Sequence, residues 1–263
     1  MLTIIEKTLF GEINKVEVAI NRLKEFEPKD EPYILAFSGG KDSLVIYILA
    51  KMAGVKFKAV YTLTSVDPPE LVWHIKKNYP DVEIIYPKES LFAMIERKMM
   101  PPTRLVRYCC DIKENTGPKG STVILGVRAE ESGKRAKQKM VSFFKGKIMV
   151  RPIIDWSTED VWAFIRSNPQ YPYCELYDRG WERIGCIGCP LSSNAEKELE
   201  MYPKYKQAYI RAFDRMIDRR LKLGKHCDWT TGQEVMDWWL QKNKKDKNLI
   251  PGQCDIYSQF EGI

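Results

Sequence analysis

Ser38-Gly39-Gly40-Lys41-Asp42-Ser43 stands between an apolar run, Tyr33 to Phe37, and a stretch of helical character that begins at Leu44. The run reads as a strand and the stretch as a helix, so the six residues form a strand-loop-helix turn. At such a turn the first helical amides lack intrahelical partners and point at any anion that approaches. Gly39 and Gly40 let the backbone come close to phosphate, Lys41 adds positive charge, and Ser38 and Ser43 offer hydroxyl donors. The Walker loop has four residues between its first glycine and its Gly-Lys-Ser/Thr end, a spacing absent here, so a kinase-like reading drops out. Serine, glycine and aspartate also build ordinary turns, and Gly-Gly alone signals no more than that.

Outward from the loop, Phe57 to Tyr61, Val82 to Tyr86 and Thr122 to Val127 are further short runs rich in apolar and β-branched residues. Segments of helical character separate them, at Leu44 to Ala53, Glu70 to Asn78 and Leu91 to Met99. This alternation predicts the α/β class, a parallel sheet with helices on both faces. Leu9, Ile13, Val16, Ile20 and Leu23 recur at steps of three and four and predict an amphipathic N-terminal helix that ends near Pro28. Asp155 to Asp160 reads as the start of a core helix, with Ser157 or Thr158 as its cap. After Cys189 the spacing predicts one long charged helix over 194–223 and another over 233–241. The expected organisation is an N-terminal helix at 1–30, a nucleotide-binding α/β domain at 31–170, and a cysteine-bearing helical region at 171–263.

A chain of 263 residues has room for one such domain and an extension, and 44% hydrophobic with 29% charged residues is a folding composition, far from disorder. No apolar run approaches the roughly 20 residues needed to cross a bilayer, which predicts a cytoplasmic protein without a membrane partner. A net charge of +7 favours anionic partners: an adenine nucleotide, a nucleic acid or an acidic protein. Lys134 to Lys139, with Lys145 and Lys147, forms a basic stretch that is either a solvated loop or a cover over a polyanion. The oligomeric state stays open.

All six residues of 38–43 match the loop of ATP pyrophosphatases, which cleave ATP between the α and β phosphates. The match continues through Thr64-Ser65-Val66-Asp67-Pro68-Pro69-Glu70, Gly126-Val127-Arg128-Ala129-Glu130-Glu131-Ser132 with Arg135, Arg151 to Trp156, and Leu176 to Gly180. Across about residues 30–195 the chain resembles the phosphoadenosine phosphosulfate (PAPS) reductase family, which implies the PP-loop, adenine nucleotide alpha hydrolase-like fold. The resemblance assigns Ser38, Gly39, Gly40, Lys41, Asp42 and Ser43 to the pyrophosphate end of ATP, and adds Thr64, Gly126, Arg128 and Arg135 to the nucleotide site. Lys41, Asp42 and Arg128 are the implied catalytic residues. In open α/β sheets ligands bind outside the carboxyl ends of the strands, where Thr64, Arg128 and the loop would converge.

The seven cysteines are an odd number, several in close pairs, which suits metal or redox chemistry better than a disulfide framework. Cys109-Cys110 and Cys186-Ile187-Gly188-Cys189 are two thiol pairs, and Gly185 and Gly188 permit a tight turn at the second. The pattern resembles the [4Fe-4S] ligand set of the adenylyl sulfate reductase branch. Structural Zn²⁺, a redox disulfide and plain buried thiols are the alternatives. Side chains of adjacent residues tend to diverge, so Cys174 is a candidate to replace Cys109 or Cys110. Cys227 and Cys254 stand alone, and His74 and His226 have no partner that suggests catalysis.

These readings imply an enzyme that uses ATP and Mg²⁺ to adenylylate a nucleic acid or protein acceptor and a cysteine-bound cluster in sulfur transfer. It would be similar to DNA phosphorothioation relatives and some tRNA thiolation enzymes. The rivals are a reductase of adenylyl sulfate or PAPS, and a non-catalytic, zinc-stabilised nucleic-acid-binding module. The resembling reductases carry their nucleophile in a Glu-Cys-Gly-Leu-His-like motif, and Gln253-Cys254-Asp255-Ile256-Tyr257 departs from it.

Overall fold

In the computed structural model, which describes residues 4–9, 11–114 and 117–243, the chain opens with strands β1 (Ile5–Thr8) and β2 (Gly11–Asn14) and helix α1 (Lys15–Glu25). Then come β3 (Tyr33–Ala36), α2 (Lys41–Ala53), β4 (Phe57–Thr62), α3 (Pro69–Asn78), β5 (Glu83–Ile85), α4 (Leu91–Lys98), α5 (Cys110–Glu114) and β6 (Thr122–Ile124). A short α6 (Gly133–Ala136) leads to β7 (Val141–Phe144) and β8 (Lys147–Val150), and α7 (Thr158–Arg166), α8 (Ala195–Met201), α9 (Pro203–Lys222) and α10 (Gly232–Asn243) follow.

The main sheet has six strands in the order β5-β4-β3-β6-β8-β7. Every neighbouring pair is parallel except β7 with β8. From β3 the chain steps outward through β4 to β5, then returns to the other side of β3 at β6. Right-handed crossovers therefore put α2 and α3 on one face and α4 and α5 on the other. The order reverses between β3 and β6, and the carboxyl ends of those strands form the crevice where such sheets bind ligands.

Tyr33, Leu35 and Phe37 alternate inward from β3 and are buried, each contributing about 1.5–3 kcal/mol of burial energy. They pack against α2, whose residues 43–50 are all buried. A helix apolar nearly all round is a covered helix, and α1 and α7 cover this one. This first core contains Trp156, Phe164 and Cys174. A second core brings α4, α9 and α10 together around Tyr209, Phe213 and Trp239. Trp239 donates its indole N–H to the Pro102 carbonyl at 2.5 Å.

Three expectations need correction. Strands β1 and β2 pair antiparallel, and α1 begins only at Lys15. Leu9 is 99% exposed, and Asn14 caps the helix by accepting from the Val16 N–H, so the apolar period extended by coincidence across a turn. The long helix expected over 194–223 breaks into α8 and α9, because Pro203 has no N–H and holds Tyr202 out of helical geometry. The sheet is also not wholly parallel: 141–150 is a hairpin whose turn uses Lys145 and Gly146 at positive φ. No helix among the described residues is long and apolar enough to cross a membrane.

Candidate functional site

The phosphate loop follows β3 into α2 and is held by its own hydroxyls. Ser38 N–H donates to Ser43 Oγ at 3.1 Å, and Ser43 Oγ donates to the Gly40 carbonyl at 2.9 Å. Gly39 has φ +71°, a backbone conformation that favours glycine, and a Cβ there would also press on the side-chain ends of Leu71 and Ile75, at 2.6 and 2.8 Å. Gly40 precedes α2 without a side-chain cap. The N–H of Lys41 instead donates to the Tyr177 hydroxyl at 2.8 Å. The Lys41 ammonium donates to the Glu182 carbonyl at 3.0 Å and lies 3.7 Å from Asp42 Oδ2.

Arg128, from the turn after β6, reaches the same place. It is 2% exposed and donates from Nε to Asp42 Oδ1 at 2.7 Å and from Nη1 to Glu130 Oε2 at 2.7 Å. Burial works against its charge, but Asp42, Glu131 and Glu130 outweigh it and raise its pKa above the ordinary value. Gly126 lets the two elements close, since a Cβ would fall 2.5 Å from the Asp42 carbonyl carbon. Arg135, expected beside them, forms an ion pair with Glu131.

Thr64 faces elsewhere. Its N–H and hydroxyl both bind Asp67 Oδ2, at 2.5 and 2.7 Å, and the hydroxyl lies 3.4 Å from Cys186 Sγ. Lys113 Nζ meets the other Asp67 oxygen at 3.3 Å. Burial opposes the Lys113 charge, yet Cys186 and Asp67 raise its pKa.

These groups border a cavity of about 140 Å³ on which Cys109, Cys110, Cys186 and Cys189 all open, among Val66, Leu91, Pro102 and Ile112. The Cys-x-x-Cys turn is fixed on three sides: Ile187 N–H to the Val66 carbonyl, Gly188 N–H to Glu198, and the Tyr209 hydroxyl to the Ile187 carbonyl. Burial, then the nearby Cys186, pushes the Cys189 thiol up to about 11. The hydrogen bond with Cys110, then burial, raises Cys109 as well.

Among the described residues no three histidine, cysteine, aspartate or glutamate side chains converge closely enough for one metal ion. Four thiols spread around a cavity suit a polynuclear cluster better than a mononuclear ion, because cluster ligands need not share a single centre. Cys174 lies in the first core, and its thiol is raised by burial. Cys109 and Cys110 instead reach the cavity together, because the chain turns into α5 between them. Cys254 lies outside the described residues.

Sequence reasoning missed three participants: Tyr177, Glu182 and Lys113. Tyr177 stood inside the matched stretch Leu176 to Gly180 without a role of its own, Lys113 stood three residues after Cys110, and Glu182 carried no signal. Tyr177 and Glu182 belong to the segment that supplies Cys186 and Cys189, so one stretch of chain touches both the loop and the cavity.

The phosphoadenosine phosphosulfate reductase domain matches residues 32–192. Two uncharacterised proteins of Methanocaldococcus jannaschii are 31% and 32% identical over 72% and 65% of this chain, which spans only 47% and 38% of their lengths. An adenosine 5'-phosphosulfate reductase of Oceanobacillus iheyensis is 30% identical over 59% of this chain and 70% of its own. A phosphoadenylyl-sulfate reductase structure from Candida auris aligns with TM-score 0.45 and 21% identity over 66% of this chain and 88% of its own. The U34-tRNA thiolase of Methanococcus maripaludis with its [4Fe-4S] cluster aligns at 0.44 and 12%, over 86% and 88%.

Proposed function

The chain belongs to the phosphoadenosine phosphosulfate reductase domain family, and from that premise we propose that it is an ATP-dependent sulfur transferase with a nucleic acid or protein acceptor. The carrying observation is the convergence of Lys41, Asp42 and Arg128 at the β3/β6 switch point. In this reading an acceptor oxygen attacks the α-phosphorus of ATP. The bond to the bridging oxygen breaks, and pyrophosphate leaves into the Lys41 ammonium and the first amides of α2, which take over its charge. To receive it, Lys41 exchanges the Tyr177 hydroxyl and the Glu182 carbonyl for phosphate oxygens. Arg128 holds Asp42 in place, and Asp42 Oδ2, left out of that ion pair, is the oxygen suited to Mg²⁺, which would add further charge neutralisation. A sulfur nucleophile then displaces AMP from the adenylylated acceptor.

Cys109, Cys110, Cys186 and Cys189 are the residues that would hold a [4Fe-4S] cluster, whose iron would supply a binding site for sulfur. Lys113 and Thr64, both at Asp67 and Cys186, would orient groups at that cavity wall.

Relatives described as adenosine 5'-phosphosulfate reductases favour a second reading, in which the same site cleaves a sulfonucleotide. The two differ in product. With ATP and the acceptor present, the first reading expects pyrophosphate, lost in Lys41→Ala. Sulfite released from adenylyl sulfate by a thiol donor, without pyrophosphate from ATP, would favour the second.

A further inference from the structure

Arg151 follows β8 directly on the carboxyl edge of the sheet, two strand positions from β3, with the Arg128 turn between them. The two arginines are buried alike and paired differently. Arg128 meets Asp42 and Glu130. Arg151, 6% exposed, donates from Nη1 only to neutral acceptors, the Lys139 carbonyl and Ser142 Oγ, each at 3.0 Å. Its Nε is buried with no acceptor among the described residues. Burial lowers its pKa, and among the described residues no carboxylate offsets that.

A buried charge without a counterion is among the costliest groups in a fold, and such groups persist where a ligand provides the missing partner. The segment that Arg151 tethers carries Lys134, Lys137 and Lys139, all exposed. The lysines thus belong to the stretch of chain whose Lys139 carbonyl Arg151 holds at the sheet edge. With neighbouring strands about 4.8 Å apart, that point is on the order of 10 Å from the phosphate loop.

We propose that Arg151, with Ser142 and the lysines of 134–139, forms a second oxyanion site, which takes a phosphate group distinct from the pyrophosphate at 38–43. The phosphate has two possible sources: an additional phosphate on the nucleotide, or a phosphodiester of a nucleic acid acceptor. The site itself does not require that ATP be cleaved at the loop, and rests on the proposed function only for its closeness to a bound nucleotide.

The test compares the full-length chain with Arg151→Met by calorimetric titration of AMP, adenosine 3',5'-bisphosphate and a short single-stranded oligonucleotide at one salt concentration. Loss of a buried charge-assisted contact should weaken one of the two latter ligands about tenfold or more while AMP changes little. A loss confined to the bisphosphate identifies the nucleotide as the source, and a loss confined to the oligonucleotide identifies the acceptor. Thermal unfolding without ligand should show Arg151→Met no less stable than wild type, since an unpaired charge has been removed. Equal affinities in a folded variant, an equal loss for AMP, or marked destabilisation with unchanged binding would each overturn the site and leave Arg151 a tether for the 134–140 segment. If Arg151→Met does not fold, Arg151→Lys, which keeps the charge and loses the planar fork, is put through the same titrations and judged by the same losses. Lys41→Ala separates this from the proposed function, because it should weaken ATP and leave oligonucleotide binding intact.

Discussion

At the phosphate loop Lys41 and Arg128 meet Asp42, Tyr177 and the Glu182 carbonyl, whereas at the cysteine cavity four thiols open onto Val66, Leu91, Pro102 and Ile112. The loop is a balanced set of charges and dipoles, so a ligand there must exchange with internal partners. The cavity is mostly apolar, and two of its thiols are raised, Cys109 by its hydrogen bond with Cys110 and then by burial, and Cys189 by burial, so these two would become thiolates more readily beside the positive charge of a metal centre. One segment, 177–189, serves both. In the proposed function the loop would select its ligand by competition, and the cavity by the charge that a metal would bring.

The largest effects should come from the cavity. Anaerobically prepared protein should carry about four irons per chain, and Cys186→Ser or Cys189→Ser should remove them and the associated absorption. Cys174→Ser should retain full iron and cost only about 1–3 kcal/mol of stability, for a hydroxyl placed in an apolar core. Iron lost from Cys174→Ser but kept in Cys109→Ser would break the assignment.

Next comes the competition at the loop. Tyr177→Phe leaves the Lys41 N–H without its internal acceptor, so titration should show ATP binding up to about tenfold tighter, the worth of one hydrogen bond. Weaker binding would show that the hydroxyl itself contacts the nucleotide.

The smallest effect lies away from both sites. Asp160 takes part in the cap of α7 and accepts from Lys15 at 2.8 Å. Burial works against its charge, but Lys15 and Ser157 outweigh it and hold the carboxyl below its usual 3.8. A depressed carboxylate stabilises above its unfolded pKa, and that contribution disappears as pH falls through the folded value. Asp160→Asn should therefore cost about 0.5 kcal/mol at neutral pH, the pair being partly solvated, and nothing in strong acid. Urea titrations at the two pH values measure the difference.

What the sequence disclosed follows from how local each feature is. The loop was legible because six consecutive residues carry it, and the parallel strands β3, β4 and β5 because each is a short apolar run before or after a helix. Cys186 and Cys189 were legible by spacing, whereas the joint approach of Cys109 and Cys110 depends on a backbone turn that spacing does not encode. Tyr177 lies 136 residues from Lys41, and no local pattern reports a contact of that range. The first strands went unseen because Leu9 and Ile13 happen to continue the period of α1. The β7–β8 hairpin was hidden by its own lysines, which read as a basic loop.

The central claim is that 38–43 holds the β,γ-pyrophosphate of ATP, and affinity tests it without knowledge of the acceptor. Calorimetric titration of wild type and Lys41→Ala with ATP plus Mg²⁺ and, separately, with adenylyl sulfate compares a ligand that has that pyrophosphate with one that lacks it. Wild type should prefer ATP, and Lys41→Ala should lose about ten- to a hundredfold for ATP, as expected for a charged hydrogen bond, with little change for adenylyl sulfate. Tighter binding of adenylyl sulfate than of ATP, or unchanged ATP affinity in folded Lys41→Ala, would contradict it.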